Sequence, residues 1–307
     1  MHATSCNAAR RDKCSCVLDL DRNRAVAPLK DAATVVLVRD AKNVGRGIEI
    51  FCVERNKASQ FLGGAVVFPG GKLDPADASE AWLDHATEPC TPQASAEPFA
   101  RDAAHLRALA IAAARETLEE AAILLALPRT ASGARAIADR DILALRSRTN
   151  ALYTFLQEHA LLLDLASLYP FARWVTPAEE PRRFDTRFYV AVAPPGQSGA
   201  HDEYETMASF WASPRDVLHR FDAGEITLYP PTHCTLEVLA TCTNTADVIA
   251  LARTSSLDPI CPKLVMQNTS TVLVLPGDPE HDVREVRVSG PSRYVLCAGR
   301  WCAEHAR

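Results

Sequence analysis

The chain has 307 residues, of which 48% are hydrophobic and 23% charged, enough for one large globular domain with an extension. A formal net charge of −5, with no basic stripe, argues against a general nucleic-acid-binding protein. No apolar run approaches the length of a membrane span, and residues 1–16 lack the hydrophobic core of a secretion signal. These features predict a cytoplasmic protein whose ten cysteines are reduced.

The first 28 residues are predicted to be a flexible leader. Cys6, Cys14 and Cys16 form a loose cluster there, but the sequence contains no CXXC pair. The cluster is either a metal site or a set of incidental thiols on a mobile segment, and the second is the more common case.

A β-hairpin is predicted where regular structure begins. Ala32 to Arg39 is a β-branched apolar run, and Ile48 to Arg55 reads as the returning strand. A shorter strand then runs into Pro69, Gly70 and Gly71. Two glycines after a proline predict a tight turn at which the backbone approaches a ligand, although an ordinary hairpin turn would look the same.

Three carboxylates mark residues 114–125, which we expect to form a helix. Glu116, Glu119 and Glu120 are spaced i, i+3 and i+4, so they project within roughly 100° of arc. Arg115 can reach Glu119 one turn on and relieve part of the repulsion. The apolar residues of the stretch fall on the opposite side: Ala114, Leu118, Ala121, Ala122 and Leu125. The acidic side is either a site for a hard divalent cation or the solvated face of an alanine-rich helix.

Together the glycine turn and the acidic helix resemble the signature of the Nudix hydrolase family, GX5EX7REUXEEXGU, with U a bulky apolar residue. Gly71 matches the opening glycine, and residues 115–123 match the second half. Asp77 stands where the family has Glu, and Thr117 and Ala122 replace the usual apolar residue and glycine. Between Asp77 and Arg115 lie 37 residues instead of seven.

The long break resembles one branch of the family, the peroxisomal coenzyme A diphosphatases and their bacterial relatives. We expect the insertion, about residues 78–113, to contain an exposed, mobile loop near residues 90–98 and to shape the pocket for the leaving group. Leu109 would project on the carboxylate side of a continued helix. This predicts either a kink before Ala114 or a cover over that face.

Beyond the acidic helix, residues 128–165 predict one or two amphipathic helices, and residues 168–192 return to strand character. Arg182, Arg183 and Arg187 lie near the apolar residues of that strand. Guanidinium groups suit phosphate oxygens, although arginines at strand ends are more often partners in surface salt bridges. In the next loop Glu205 matches the position of a further family carboxylate, with Glu203 in reserve. Tyr229 and His233 are weak ligand candidates for which a core role is the more common alternative.

From residue 254 a linker and four short strands predict a small β extension, in segments LVMQ, TVLVLPGD, REVRVSG and RYVLCAGRW. The chain ends in AEHAR, which is no peroxisomal address of the SKL type. The predicted organisation is therefore a leader at 1–28, a hydrolase domain at 29–253 and a linker with the extension at 254–307.

The resemblance implies an α+β fold of the α/β/α sandwich type, the Nudix fold, with a mixed sheet between helices, a helical and loop insertion and the C-terminal β extension. It also implies a Mg²⁺- or Mn²⁺-dependent diphosphatase. Its metal ligands would be Glu116, Glu120 and Glu119, and its catalytic residues Glu119, Arg115 and Glu205. Its substrate-binding residues would be Gly70, Gly71, Arg55, Arg183 and Arg187, with Lys57 a further cation for a substrate phosphate.

The expected substrate is coenzyme A or an acyl ester, cut to 3′,5′-ADP and (acyl-)phosphopantetheine. Two alternatives stand beside it: the same chemistry on NADH, a nucleotide sugar or a capped RNA, and a catalytically silent Nudix domain that binds a ligand. We expect a small-molecule nucleotide as partner, and neither membrane nor nucleic acid. The oligomeric state is open between a single chain and a homodimer.

Overall fold

The computed structural model describes residues 25–41, 47–56, 64–95, 97–130, 137, 139–146, 151–200, 206–267, 270–297 and 299–304. The cysteine cluster of the leader, Lys57, Glu203, Glu205 and the chain end lie outside these ranges. None of the described helices is long and apolar enough to cross a membrane.

A mixed sheet of eight strands organises the described part of the chain. The strands are β1 (Leu29–Asp40), β2 (Ile48–Arg55), β3 (Val66–Val67), β4 (Gly70–Lys72), β7 (Tyr169–Val175), β8 (Arg183–Val192), β9 (Thr206–Ala212) and β10 (Pro259–Ile260). They lie in the order β10-β7-β8-β1-β2-β3, with β4 paired to β1 and β9 paired to β2. β1 runs parallel to β8, and β10 runs parallel to β7, whereas the other pairs are antiparallel. The predicted hairpin of β1 and β2 is confirmed.

Helices cover both faces of this sheet, which confirms the predicted α+β sandwich. The first face carries α1 (Ala103–Ala121), and α2 (Asp139–Arg146) and α3 (Ala151–Glu158) extend its core. The second face packs against α4 (Pro214–Asp222), α5 (Pro230–Leu239) and α6 (Thr245–Ala252). Because β1 is central, its alternate residues enter the two cores: Val35 and Leu37 enter the first, and Val36 and Val38 enter the second.

The acidic stretch is the end of a longer helix than the sequence predicted. α1 begins at Ala103, where Asp102 caps it by accepting a hydrogen bond from the His105 N–H, and it is one continuous element to Ala121. Leu109 is fully buried, so a cover over that face, and not a kink, resolves the awkward phase of the helix. Leu125 lies beyond the helix end and is buried in the same core.

The insertion lies along the α1 side of the sheet. The 3-10 turn Pro75–Ala78 leads into it, and a second turn, Glu80–Asp84, follows. The chain then runs in extended form beside β6 (Leu161–Leu163), which pairs with β5 (Ala126–Pro128). Its middle has exposed residues as predicted, yet the Cys90 thiol donates to the Ala166 carbonyl and Arg173 donates to the Pro98 carbonyl. Mobility of this segment stays a prediction.

The C-terminal extension is a second, four-stranded antiparallel sheet. Its strands are β11 (Lys263–Gln267), β12 (Ser270–Val274), β13 (Arg293–Cys297) and β14 (Arg300–Glu304). The predicted strand at residues 284–290 is wrong, because that segment is irregular, and the last predicted strand is a hairpin of two. Leu264, Leu273 and Trp301 belong to the same core as β8 and α5, so the sheet packs against the main domain.

Candidate active site

Gly70 and Gly71 let the end of α1 approach strand β4 closely. The Gly70 N–H donates to Oε2 of Glu120 at 2.9 Å. A Cβ atom at Gly71 would lie 2.5 Å from Cδ of Glu116, and one at Gly70 would lie 2.7 Å from Cα of Thr34. A side chain at Gly70 would collide with the backbone of β1, and one at Gly71 would displace the Glu116 carboxylate. The glycine turn predicted from the sequence is therefore the contact that seats two helix carboxylates against the sheet.

Arg115 joins the two halves of the interrupted signature. Its Nε and Nη2 donate to the two carboxylate oxygens of Asp77, each at 2.9 Å, and Nη2 also donates to the Lys72 carbonyl. Nη1 donates to Glu116 at 2.7 Å and to Glu119 at 3.0 Å. Burial opposes the charge of Arg115, but the hydrogen bonds and charges of these carboxylates raise its pKa above the ordinary value. The guanidinium is thus a fixed cation among three acidic groups.

The three helix carboxylates occupy different surroundings. Glu116 and Glu120 line a cleft, whereas Glu119 is almost half exposed and lies beside Arg115. Burial raises the pKa of Glu116 to about 7, because the Arg115 charge and hydrogen bond offset only part of the desolvation. Burial also raises the pKa of Glu119. The excess of buried negative charge favours a further cation near these groups.

The donor chemistry fits a hard divalent cation, which prefers carboxylate oxygens and retains several waters. Glu116 and Glu120 would be the protein ligands on the cleft side. Within the described ranges, no group of three or more His, Cys, Asp or Glu side chains is arranged as a ready metal site. Glu119 is turned to Arg115, and Glu205 lies outside the described residues, so the third ligand stays a prediction.

The cleft has a volume of about 530 Å³ and crosses the sheet from β4 to β7. Three of its lining residues are cationic, Arg55, Lys72 and Arg182, which suits a substrate with several phosphate groups. Its other residues are mostly apolar or aromatic: Ala32, Val67, Phe68, Trp174, Val175, Pro177, Phe184, Phe188, Tyr229, Pro230, Pro231, Pro262 and Leu273. Glu180 lines the cleft as well, so charged groups stand on both sides of an apolar surface.

Two of the predicted substrate-binding arginines lie elsewhere. Arg187 is buried and donates to the Phe99 carbonyl and to Asp31, and it pairs with Asp185. Arg183 donates to the carbonyls of Thr176 and Pro177. Neither lines the cleft. Because side chains alternate along β8, its even-numbered residues 184, 186 and 188 line the cleft and its odd-numbered ones do not.

The structure brings other predicted residues to the cleft: Gly70, Gly71 and Arg55 line it, and so does Tyr229. His233 has the core role, because its ring packs against Phe221 and lies 3.0 Å from the Tyr294 hydroxyl. None of the described residues of the insertion lines this cleft, and its role in shaping the pocket for the leaving group stays a prediction. Leu273 and Pro262 do line the cleft, and no motif in the sequence marked them.

Two departures from the family signature have local explanations. The Thr117 hydroxyl is buried and donates to the Ala113 carbonyl at 2.8 Å, which satisfies the polar group that replaces an apolar one. Ala122 ends the helix with a φ of 50°, a left-handed conformation that glycine adopts without strain. The acidic helix thus keeps its geometry despite both replacements.

Comparison with known proteins gives three findings. Residues 29–239 match the family described as the NUDT19 Nudix domain. The acyl-coenzyme A diphosphatase NUDT19 of Gallus gallus is 32% identical over 223 residues, which cover 60% of this chain and 58% of that protein. The acyl-coenzyme A diphosphatase NUDT19 of Homo sapiens is 29% identical over 274 residues, which cover 76% of this chain and 72% of that protein. The chain therefore spans 58% of the length of the chicken relative. The crystal structure of a NUDIX hydrolase from Alicyclobacillus acidocaldarius is 32% identical, with a TM-score of 0.63, over 76% of this chain and all of that one.

Proposed function

The chain belongs to the NUDT19 Nudix domain family, and on this premise we propose that it is a metal-dependent diphosphatase acting on coenzyme A or its acyl esters. Water would add across the diphosphate, so that one phosphorus gains a hydroxyl and the other phosphate leaves. The products would be 3′,5′-ADP and phosphopantetheine or its acyl ester.

The observation that carries this proposal is the joint position of two helix carboxylates and three cations in one cleft, which Glu180 lines as a third acidic group. Glu116 and Glu120 reach the cleft at the glycine turn, and Arg55, Lys72 and Arg182 line the same space. A diphosphate with a further phosphate group needs cations on several sides. Carboxylates alone would repel such a substrate. The site therefore fits it only when a divalent cation is bound between the carboxylates and the substrate phosphates.

The chain would divide the chemistry among few residues. A Mg²⁺ or Mn²⁺ ion held by Glu116 and Glu120 would supply charge neutralisation at the reacting phosphates. Arg115 keeps Glu116 in place through a 2.7 Å hydrogen bond and orients Glu119. Glu119 or Glu205 would accept the proton of the attacking water. Gly70 and Gly71 hold the backbone close enough to the helix for this arrangement.

Support for coenzyme A as the substrate comes from the relatives, which are named acyl-coenzyme A diphosphatases. Coenzyme A also carries a 3′-phosphate in addition to its diphosphate. The cleft cations Arg55, Lys72 and Arg182 offer contacts of the kind that phosphate groups take.

A product assay tests the proposal. The purified chain of 307 residues is incubated with Mg²⁺ or Mn²⁺ and one compound at a time: coenzyme A, an acyl-coenzyme A, NADH, a nucleotide sugar or capped RNA. We expect 3′,5′-ADP from the first two and no turnover after chelation of the metal. Turnover of NADH alone would contradict the substrate, and binding without turnover of any compound would contradict the enzymatic role.

A further inference from the structure

The floor of the cleft is a strip of the sheet four strands wide. Lys72 on β4 pairs with Ala32 on β1, Ala32 pairs with Thr186 on β8, and Thr186 pairs with Trp174 on β7. All four residues line the cleft. Three strand spacings of about 4.8 Å place Trp174 roughly 14 Å from Lys72 across the sheet. The helix carboxylates lie at the β4 end of this strip, beside Gly70 and Gly71.

The β7 end of the strip is completed by the C-terminal extension. β10 pairs with β7 at Trp174, and the chain then turns at Pro262 into the second sheet. Pro262 and Leu273 line the cleft at this end. Both residues lie beyond the segment that matches the family, which ends at residue 239. A part of the cleft is therefore built by residues outside the matched domain.

The extension is held firmly enough to act as a wall. The Tyr294 hydroxyl on β13 lies 3.0 Å from Nδ1 of His233 and 3.0 Å from Sγ of Cys234, both on α5. Arg300 on β14 donates to the Phe221 carbonyl at the end of α4 at 2.8 Å. Leu273 itself is only 2% exposed and belongs to the core of the second sheet face.

The chemistry changes along the cleft. Glu116, Glu120 and Lys72 are charged, whereas Trp174, Pro262 and Leu273 form a largely buried apolar patch at the β7 end, where Thr176, Glu180 and Arg182 also line the cleft. An adenine ring or a phosphate would lose hydrogen bonds to water against aliphatic side chains. An aliphatic chain would gain from burial there, at about 0.8 kcal/mol per CH₂ group.

We propose that the C-terminal sheet completes an apolar subsite, formed by Trp174, Pro262 and Leu273, which receives the acyl end of an acyl-coenzyme A. This inference rests on the proposed function, and it assigns substrate selection to a part of the chain that the family match leaves out. The diphosphate lies at the carboxylates, and the pantetheine arm spans the floor between the two ends. The extension thereby sets the preference for acylated over free coenzyme A.

The test measures kcat/KM for free coenzyme A and for acyl esters of 2, 8 and 12 carbons, all below their micelle-forming concentrations. Wild-type protein is compared with L273N, which keeps the side-chain size but adds a polar group, and with L273M, which keeps the apolar character. M266N is the matched control, because Met266 lies on the neighbouring strand β11, is 50% exposed and does not line the cleft. Thermal unfolding identifies any variant that fails to fold.

We expect kcat/KM to rise with acyl length in the wild type, and this series needs no variant. L273N should lower the ratio of the 12-carbon ester to free coenzyme A at least tenfold, whereas L273M and M266N change it less than twofold. A flat wild-type series, or equal losses on both substrates in folded L273N, would overturn the subsite while leaving the diphosphatase intact. Absence of turnover on free and acylated coenzyme A alike would instead defeat the proposed function, and this inference with it.

Discussion

Arg115 and Asp77 form a bidentate ion pair although they are 38 positions apart in the chain. Asp77 is only 2% exposed, and its second oxygen also accepts the Asp74 N–H that starts the first 3-10 turn. The pair therefore closes the interrupted signature across the insertion. It also explains how aspartate serves at a position where the family has glutamate.

Loss of this pair should destabilise the fold. We expect D77N to lower the free energy of unfolding by about 3 kcal/mol, because it leaves a buried guanidinium without its main partner. Arg115 keeps its hydrogen bonds to Glu116 and Glu119 in this variant, so the expected loss of stability lies at the low end of the range for a broken buried ion pair. Urea unfolding measures the loss in the free energy of unfolding. D84N is the control, because it changes an exposed carboxylate of the insertion. Similar curves for both variants would show that the pair contributes little.

A methyl group at Gly71 should disturb the site more than the fold. G71A would place a Cβ atom against the Glu116 carboxylate, so the side chain must leave its position. We expect at least a hundredfold loss of kcat for coenzyme A and a change in melting temperature of a few degrees. G196A is the control, because a Cβ atom there meets nothing within 4 Å, although the positive φ of Gly196 costs some stability. Normal turnover of G71A would show that the reaction does not depend on the position of the Glu116 carboxylate.

Neutralising Glu120 separates the metal role from the structural one. E120Q keeps an oxygen that can accept the Gly70 N–H, so we expect an unchanged melting temperature. Activity with Mg²⁺ should fall a hundredfold or more, because a neutral ligand compensates less charge in the transition state. E88Q changes an exposed carboxylate of the insertion and serves as the control. Near-normal turnover of E120Q would exclude this end of the helix as the metal site.

We expect the Arg182 guanidinium to bind the 3′-phosphate of coenzyme A. A lost charge-assisted contact costs roughly 1.5–3 kcal/mol, or about ten- to a hundred-and-fifty-fold in kcat/KM. The exposed side chain of Arg182 places the effect near tenfold. R182A should therefore lower the preference for coenzyme A over its 3′-dephospho form by about this factor at fixed ionic strength. R140A, on the exposed side of α2, controls for lost charge, and an unchanged preference in R182A would refute the assignment.

His233 should make stability depend on pH. Burial lowers its pKa to about 4, against 6.5 for an ordinary histidine, and the Asp222 charge opposes this only in part. Between these two values the unfolded chain binds more protons than the folded one, so stability falls as the pH drops from 6.5 towards 4. The loss attributable to this group is at most about 3 kcal/mol, at 1.36 kcal/mol per pKa unit.

Urea unfolding at pH 7, 6, 5 and 4.5 checks this dependence. H233F removes the titrating group, and its stability should change less steeply with pH than that of the wild type. H219F alters an exposed histidine of α4 and should retain the wild-type slope. Parallel curves for H233F and the wild type would contradict the assignment of this slope to His233.

The local sequence was sufficient to predict the positions of side chains where a periodic pattern fixes their geometry. The i, i+3, i+4 spacing places Glu116, Glu119 and Glu120 on one side of a helix whatever lies around it, because each residue turns the helix by about 100°. Gly70 and Gly71 indicated a close backbone approach, which the contact with Glu120 bears out. The β-branched apolar run at residues 32–39 likewise predicted β1, and β2 and β8 were predicted from the strand character of their own residues.

Only the tertiary structure decided which side of each element faces the cleft. Strand alternation separates Arg182 and residues 184, 186 and 188 from Arg183 and Arg187, but either set fits a strand equally well from sequence. The insertion and the C-terminal sheet settle the choice by covering opposite faces: Phe99 receives Arg187 on one side, and Leu273 closes the cleft on the other. These contacts join residues that are far apart in the chain, and a local sequence pattern does not predict which distant residues will meet.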